Sequence, residues 1–338
     1  MKRINGSTTE KNTKKTSTPL ISVVIPVLNG EATIESLLKS LLKVDYPRER
    51  IEVIVVDGNS TDKTLEKVAK YSAKVLIEKK GGPNSARNTG IRHSSGEIVA
   101  FTDSDCIVSK NWIKKIIENF KDPRIGCVGG TVKGSNNNFF SKYADNSISP
   151  VIRVCKKRKE LDSIGPFSGC PVGCNMAFRR TVLMKVGGFD ENIQYCFEED
   201  ELVERVCKAG YGVVLDPQVL VWHKHRAIFK NLLKQAFKYG KGTGRLLRRP
   251  KNQKLFLRWF FINSCALIQI MLLMAGWQIL FLFSLAMFLV PVFLLMTIYA
   301  CKTRLNGEYK NIFAYPLVDL SRMLAFLAGE ICGFVRRV

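Results

Sequence analysis

Short β-branched runs alternate with helical patterns along the first third of the chain. Each run ends in polar or turn-forming residues, which predicts a buried strand followed by a loop. Between the runs, EATIESLLKSLLKV (31–44) carries apolar residues at helical spacing, and GGPNSARNTGIRHSS (81–95) predicts a turn that continues as a helix. Strands that alternate with helices in this order indicate an α/β fold with right-handed crossovers and a mostly parallel sheet. The predicted strands are ISVVIPVLN (21–29), IEVIVVD (51–57), AKVLIEK (73–79) and GEIVAFTDSD (96–105).

Polar side chains follow three of these strands at the point where each strand ends. Asn29 closes the first strand and Asp57 closes the second. Asp103 and Asp105 close the fourth. Ligands of parallel α/β sheets bind beyond the carboxyl ends of the strands, so we expect these side chains to line one crevice. Two carboxylates one residue apart cost free energy unless a cation or a hydrogen-bond network compensates their charge.

The next hundred residues alternate less regularly. CVGGTVKG (127–134) predicts a strand, and residues 165–191 predict a strand, a helix and a Gly-Gly turn. Residues 197–225 predict a helix with an acidic start, followed by a strand that ends at His223. Residues 136–160, which include a basic cluster, predict a mobile or membrane-near segment.

The chain is strongly basic, and its charge is concentrated beside its most apolar region. Lys and Arg number 52 against 29 Asp and Glu, which gives a net charge of +23. No acidic residue lies between Asp216 and Glu308, and residues 224–258 gather many lysines and arginines just before an apolar tract. Basic residues that flank such a tract are typical of the cytoplasmic face of a membrane. We therefore expect a membrane bilayer, and no nucleic acid, as the anionic partner.

The apolar tract itself has no charged residue from Trp259 to Cys301. A bilayer core needs about 20 apolar residues per helix, so we expect a transmembrane hairpin, with a soluble core as the alternative. Residues 312–335 are also apolar but carry three charged residues, Asp319, Arg322 and Glu330. A packed span and an interfacial or re-entrant helix both fit that third segment.

These patterns divide the chain into five regions. The first 19 residues lack an apolar core, so they predict neither a secretory signal nor an anchor. The ten cysteines have no second pair that would complete a zinc site with Cys170 and Cys174, so we expect reduced thiols in a cytosolic compartment. The regions are a disordered basic N-terminus (1–19), an α/β domain (20–226), a basic amphipathic interfacial segment (227–258), the hairpin (259–301), and a cytoplasmic loop with a third apolar, membrane-associated helix (302–338).

The sequence Asp103-Ser104-Asp105 has two interpretations. Asp and Ser are common in turns, so the pair needs no catalytic role, and the motif alone favours this explanation. Alternatively, hard carboxylate oxygens at a strand end hold a divalent cation that bridges the phosphates of a nucleoside diphosphate. Such a cation stabilises the charge that develops on a departing diphosphate. The neighbouring motifs decide between the two.

Together with its neighbours, this motif resembles those of the family 2 inverting glycosyltransferases, which have the Rossmann-like GT-A fold. The resemblance covers about residues 20–245. It rests on VVIPVLNGEATI, VVDGNSTDKT, GGPNSARNTGI, GEIVAFTDSDC, GCNMAFRRTVLMKVGGFDE and EEDELVERVCKAGY. It implies a nucleotide-diphosphate sugar as the donor and a divalent cation, Mn²⁺ or Mg²⁺, as the cofactor.

The resemblance also implies a nucleotide site built from residues far apart in the sequence. It places Pro26, Asn29 and Asp57 at the base and ribose. Arg87, in the Asn-Ser-Ala-Arg-Asn helix start, would reach the base or a phosphate. The alternative for Arg87 is a surface cation on a helix.

The metal ligands implied by the resemblance are Asp103 and Asp105, with Asp103 also contacting the nucleotide. His223, in VLVWHKH, matches a histidine that often completes the metal ligands of related enzymes. Neutral imidazole is a common metal ligand, but an interfacial histidine fits this basic context equally well.

FEEDEL (197–202) supplies a second acidic signal at a predicted helix start. Acidic residues favour helix N-termini through the macrodipole, so this segment needs no catalytic role. By the resemblance, Asp200 is the general base that takes a proton from the acceptor hydroxyl, with Glu199 as its neighbour or substitute. Partial burial that raises a carboxyl pKa toward neutrality would suit the task. An acceptor that is already a phosphate would demand no base, and Asp200 would then only orient it.

LLKQAFKYGKG (232–242) is similar to the Q-x-x-R-W signature of processive, membrane-embedded synthases. Gln235 is present, but Lys238 and Tyr239 stand where that signature has Arg and Trp, which argues against polymer extension. The stretch predicts a basic amphipathic helix whose lysines meet phospholipid headgroups or a phosphorylated acceptor. A plain solvated basic face is the alternative.

The leading hypothesis is a multi-pass membrane protein with a cytoplasmic catalytic domain. It would be an inverting glycosyltransferase that passes a sugar to a lipid-linked acceptor, either a polyprenyl phosphate or a lipid-linked oligosaccharide. The alternatives are a processive polysaccharide synthase and a non-catalytic anchored protein that binds nucleotide sugars or nucleic acid. Against the non-catalytic alternative, the acidic positions 57, 103, 105, 199 and 200 are all occupied by Asp or Glu.

Overall fold

The strands form one mixed sheet. In the computed structural model, the described residues are 18–147, 155–164, 170–193, 197–225, 228–247, 294, 296–301 and 311–335. The predicted N-terminal segment lies outside them apart from Thr18 and Pro19. Residues 251–293, which hold most of the predicted hairpin, also lie outside them.

Nine strands in the described residues follow the order β3-β2-β1-β4-β8-β6-β9-β5, and β7 pairs with β9. The strands β1 to β4 are parallel, and β6 and β9 point the same way because β8 lies antiparallel between β4 and β6. The sheet is therefore mixed but mostly parallel, as the sequence predicted. The strands are β1 (Ile21–Val27), β2 (Ile51–Asp57), β3 (Lys74–Ile77), β4 (Ile98–Phe101), β5 (Cys106–Val108), β6 (Ile125–Gly134), β7 (Lys159–Leu161), β8 (Met176–Arg179) and β9 (Gly212–His223).

Helices cover both faces of this sheet. Successive side chains of a strand point to opposite faces, so Val23 of β1 packs with one set of helices and Val24 with the other. One apolar cluster includes Leu37 of α1 and Trp112 of α4, and the second includes Ile91 of α3 and residues of α6 and α7. The helices are α1 (Ile34–Leu41), α2 (Thr64–Val68), α3 (Pro83–Arg92), α4 (Trp112–Asn119), α5 (Phe139–Asn146), α6 (Arg180–Val186), α7 (Glu198–Lys208), α8 (Phe229–Leu247) and α9 (Asn311–Val335).

One sequence prediction about the middle of the chain was wrong, and a second holds only in part. The predicted fourth strand does not reach Asp105, because β4 ends at Phe101 and a turn follows in which Cys106 N donates to the Asp103 carbonyl. Residues 136–160 were predicted to be mobile or membrane-near; their first part is the helix α5, and the membrane-near alternative stays a prediction. Asn138 caps this helix by accepting a 2.8 Å hydrogen bond from Ser141 N.

The helices α8 and α9 pack with their backbones in close contact. A Cβ atom added to Gly240 would lie 1.9 Å from the carbonyl oxygen of Phe326, and one added to Gly329 would lie 2.0 Å from that of Phe237. The predicted third apolar segment is thus a helix, α9, held against the basic helix α8. Among the described residues, no helix combines the length and the apolarity needed to cross a bilayer.

We predict that Gly240→Ala destabilises the protein. Alanine normally stabilises a helix interior by up to about 1 kcal/mol over glycine. Here the new methyl group meets a backbone oxygen that cannot rotate away, so overpacking should cost about 1–3 kcal/mol instead. Urea unfolding of the purified full chain measures the change, with Lys234→Ala on an exposed position of α8 as the control. An unchanged or raised stability would contradict the close packing of α8 on α9.

Candidate active site

The loops after β1 and β2 are joined by hydrogen bonds at the carboxyl edge of the sheet. Asn29, with a positive φ of 53°, accepts from Thr61 N at 2.9 Å, and its own backbone N donates to Ser60 Oγ at 2.8 Å. The buried Asp57 carboxylate accepts from Ser60 N at 2.8 Å and from Ser60 Oγ at 2.5 Å. Pro26 lies three residues before Asn29, on β1, and is paired with Val56. The hydrogen bonds therefore join the loop that carries Asn29 to the loop that follows Asp57.

The aspartate motif lies directly beside that loop pair. A Cβ atom added to Gly30 would lie 3.2 Å from Ser104 Oγ and 2.5 Å from Val27 Cγ2, so only glycine allows the loop to approach this closely. The loop that follows Asn29 therefore lies directly against the turn of Asp103 and Asp105, at the edge of the sheet where the strand-end argument expects a ligand.

Arg87 lies between the two acidic parts of the site. Its side chain, on α3, is only 5% exposed, with Nη2 3.7 Å from Asp103 Oδ1 and Nη1 3.8 Å from Glu198 Oε1. The guanidinium also lies over the Phe189 ring, 5.4 Å from its centroid. Burial raises the pKa of Asp103, and Arg87 acts in the opposite direction. Arg87 is thus a buried member of the site and not a surface cation.

The acidic start of α7 contacts Arg87 on the side away from Asp103. Glu199 Oε1 accepts a 2.8 Å hydrogen bond from Gly173 N. Burial, together with the neighbouring charge of Glu198, raises the pKa of Glu199 to about 8. Asp200 is half-buried in the same helical turn. The sequence named Asp200 and Glu199 but gave no role to Glu198 or Gly173, since their contacts depend on segments far apart in the chain.

A second group of polar atoms fits a divalent cation. Ligand atoms of Asp105, Cys106 and His223 all lie within 4.8 Å of one another. Cys106 is paired with His223 across β5 and β9, so the strand register brings these side chains together. A carboxylate with an imidazole suits Mn²⁺ and similar ions, and a thiolate suits softer ones. Asp103 is not a member of this group.

His223 is held by its neighbour Asp105. Its Nε2 lies 3.3 Å from Asp105 Oδ1. Burial lowers the pKa of His223, but the hydrogen bond and the charge of Asp105 outweigh it and raise the pKa to about 9. Asp105 and His223, which the sequence predicts as metal ligands, therefore lie in contact with each other. Cys106 was missed because its pairing with His223 requires β5, which the sequence pattern did not predict.

Comparison with known proteins identifies the family. Residues 22–187 match the family described as Glycosyl transferase family 2. Glycosyltransferase AglE from Haloferax volcanii is 31% identical over 233 residues, which are 66% of this chain and 73% of that protein. The chain belongs to glycosyltransferase family 2. It is therefore an inverting glycosyltransferase that uses a nucleotide sugar.

A more distant relative and a solved structure extend the comparison. This family 2 glycosyltransferase is 22% identical over 261 residues to an enzyme from Methanococcus voltae, covering 68% of this chain and 74% of that protein. That relative is named dolichyl N-acetyl-alpha-D-glucosaminyl phosphate 3-beta-D-2,3-diacetamido-2,3-dideoxy-beta-D-glucuronosyltransferase. The mannosyltransferase PcManGT from Pyrobaculum calidifontis, solved with GDP-Man and Mn²⁺, shares the fold at a TM-score of 0.61 and 20% identity, over 95% of this chain and 88% of that chain.

We predict that Gly173→Ala lowers turnover without unfolding the enzyme. The added Cβ would lie 2.5 Å from Arg87 Nη2 and 2.7 Å from Glu199 Oε1, so both groups must move. A displacement of about 1 Å at a catalytic site costs on the order of 100-fold in rate. Initial rates and thermal unfolding of the variant are compared with Gly212→Ala, whose Cβ meets only the tip of Ile125 at 3.2 Å. Wild-type turnover in Gly173→Ala would show that the close contact of Gly173 with Arg87 and Glu199 does not position catalytic groups.

Proposed function

We propose that this enzyme passes a sugar from a nucleotide-diphosphate donor to a lipid-linked acceptor at the cytoplasmic face of a membrane. One observation carries the proposal. The buried guanidinium of Arg87 lies 3.7 Å from Asp103 and 3.8 Å from Glu198, so the donor side and the acidic start of α7 face each other across a single side chain. A sugar bound beside Arg87 would then lie between a leaving diphosphate on the Asp103 side and an attacking acceptor on the α7 side.

The donor half of the site uses the loops after β1, β2 and β4. Pro26, Asn29 and Asp57 would bind the base and ribose, and Asp103 with Arg87 would meet the sugar and diphosphate. Asp105 and His223 would hold a Mn²⁺ or Mg²⁺ ion. When bound there, the ion neutralises charge on the leaving diphosphate.

The acceptor half of the site lies at the start of α7. Asp200 takes the proton from the acceptor hydroxyl while the oxygen attacks the anomeric carbon from the face opposite the diphosphate, so configuration inverts in one displacement. Glu199, with its pKa raised to about 8, is largely protonated at neutral pH and donates or accepts hydrogen bonds instead. An acceptor phosphate would need no base, and Asp200 would then orient it.

The lipid acceptor and the membrane location are supported by the surface of α8 and α9. The helix α8 is basic, with no acidic residue in its sequence, and lysines attract anionic headgroups. Large apolar side chains are exposed beside these charges, which is the composition of an interfacial surface. They include Phe229, Phe237, Leu317, Leu324 and Phe334. The dolichyl-linked acceptor in the name of the Methanococcus voltae relative is consistent with this assignment.

Isosteric variants distinguish the two candidate general bases, Asp200 and Glu199. We expect Asp200→Asn to lose about 10²–10⁴-fold in turnover at every pH, as for the loss of a general base. Glu199→Gln copies the protonated form that dominates below pH 8, so it should keep most activity at pH 7. Rates are measured from pH 6 to 9 for both variants and the wild type. An inactive Glu199→Gln, together with wild-type activity that rises with pH through about 8, would transfer the role to Glu199.

The acceptor class is tested by supplying lipid phosphates directly. Detergent extracts receive labelled nucleotide sugars with or without isoprenoid phosphates, and label should enter the lipid phase only when the isoprenoid is present. Extracts with Asp103→Asn should give none, because the diphosphate side of the site has lost its carboxylate. Label confined to a long aqueous polymer would instead indicate a processive synthase.

A further inference from the structure

The end of β9 carries two histidines whose rings are in direct contact. His223 and His225 lie two residues apart on extended chain, which directs both side chains to one side. Their Nδ1 atoms are 3.0 Å apart, and the ring of His225 is buried. A contact between two ring nitrogens at this distance requires one nitrogen to donate a hydrogen and the other to accept it.

A carboxylate on α5 decides which nitrogen of His225 donates. Asp145 Oδ1 lies 3.2 Å from His225 Nε2. The same carboxylate accepts from Gly134 N, at 2.8 Å to Oδ1 and 3.1 Å to Oδ2. A Cβ atom on Gly134 would lie 2.1 Å from Ser141 Oγ and 2.9 Å from His225 Cδ2, so this approach of α5 to β6 requires glycine. Asp145 therefore meets His225 as an acceptor, and His225 Nε2 carries the hydrogen.

The role of His225 Nε2 determines which of the other ring nitrogens donate and which accept. Because His225 Nε2 donates to Asp145, His225 Nδ1 is the nitrogen that accepts from the Nδ1–H of His223. With Nδ1 directed at His225, the His223 ring turns its Nε2 toward Asp105, whose Oδ1 lies 3.3 Å away. Hydrogen bonds of this kind commonly fix the tautomer and orientation of a metal-binding histidine.

We propose that Asp145 and His225 are positioning residues, which hold the His223 ring in the orientation that turns its Nε2 toward the cation site beside Asp105. The inference rests on the proposed function, because it takes His223 as a metal ligand. It adds two residues, one just after β9 and one on α5, that lie outside the group formed by Asp105, Cys106 and His223.

The position of α5 is fixed independently of the metal. Tyr143, two residues before Asp145 on α5 and fully buried, donates to Asp319 of α9, and Tyr299 donates to the other oxygen of Asp319. Arg322 Nη1 donates to the Tyr143 hydroxyl at 2.8 Å. The helix that carries Asp145 is thus held in place by buried polar contacts with α9.

The direct test is Asp145→Ala, assayed by Mn²⁺ binding to the purified full chain without turnover. Asparagine would not serve, because Asp145 Oδ1 accepts from both Gly134 N and His225 Nε2, and an amide oxygen at that position could keep both contacts. Alanine removes the acceptor of His225 Nε2, so the His225 ring loses the contact that orients it and no longer holds His223. We expect Mn²⁺ affinity to fall by about 10–100-fold, the usual effect of losing such a partner. Asp45→Ala, the same change at an exposed position, should leave affinity unchanged.

Two further variants separate this inference from the function on which it rests. His225→Phe keeps the ring volume without either nitrogen and should weaken Mn²⁺ binding to a similar extent. His223→Ala should weaken it as well, and adding Asp145→Ala to that background should have no further effect. Undiminished binding in His223→Ala would overturn the metal role of His223 itself. A weakened His223→Ala with undiminished Asp145→Ala, or with additive losses in the double variant, would overturn only the positioning role.

Discussion

The active site depends on one buried cation between two acidic segments. Without Arg87, the carboxylates of Asp103 and Glu198 would face each other across a crevice that burial has made unfavourable for charge. A buried charge is costly unless paired, and breaking such a pair typically costs about 3–5 kcal/mol because the partners stay behind unpaired. The guanidinium also packs against Phe189, so it is held by shape as well as by charge. The separation of Asp103 from the acidic start of α7 is therefore set by the fold.

Sequence patterns predicted the parts of this site that lie at strand ends. Asn29, Asp57 and the Asp103–Asp105 turn follow apolar runs, and parallel strands bring their carboxyl ends to one edge, so the crevice required no knowledge of register. The strand β5 is only three residues long, and the helix α5 has the mixed composition of a loop. No periodic signal marks such elements. The contacts they make, Cys106 with His223 and Asp145 with His225, could not be predicted because pairing register is a property of the folded sheet.

The charged residues of the third apolar segment are a second case that the sequence alone could not decide. In the sequence, Asp319 and Arg322 were equally consistent with a packed span and with an interfacial helix. In the structure, Asp319 is buried and accepts from Tyr143 and Tyr299, so its charge is satisfied by the protein itself. Glycines on α8 and α9 let the two backbones approach closely, and small residues of this kind are recognisable in sequence only when the partner helix is known.

Hydrogen bonds at its two sides place α5 between the C-terminal helix α9 and the histidines that follow and end β9. One face of α5 bonds to Asp319 through Tyr143, and its last turn bonds to His225 through Asp145. His225 in turn contacts His223, which lies beside Asp105. Buried polar contacts are directional, so a shift of α9 relative to the sheet would be transmitted to the orientation of His223 more effectively than through apolar packing alone. Under the proposed function, the donor site must stay in register with the surface of α8 and α9 that would meet the lipid. A chain of hydrogen bonds from α9 to His223 would meet this requirement in a way that a flexible linker would not.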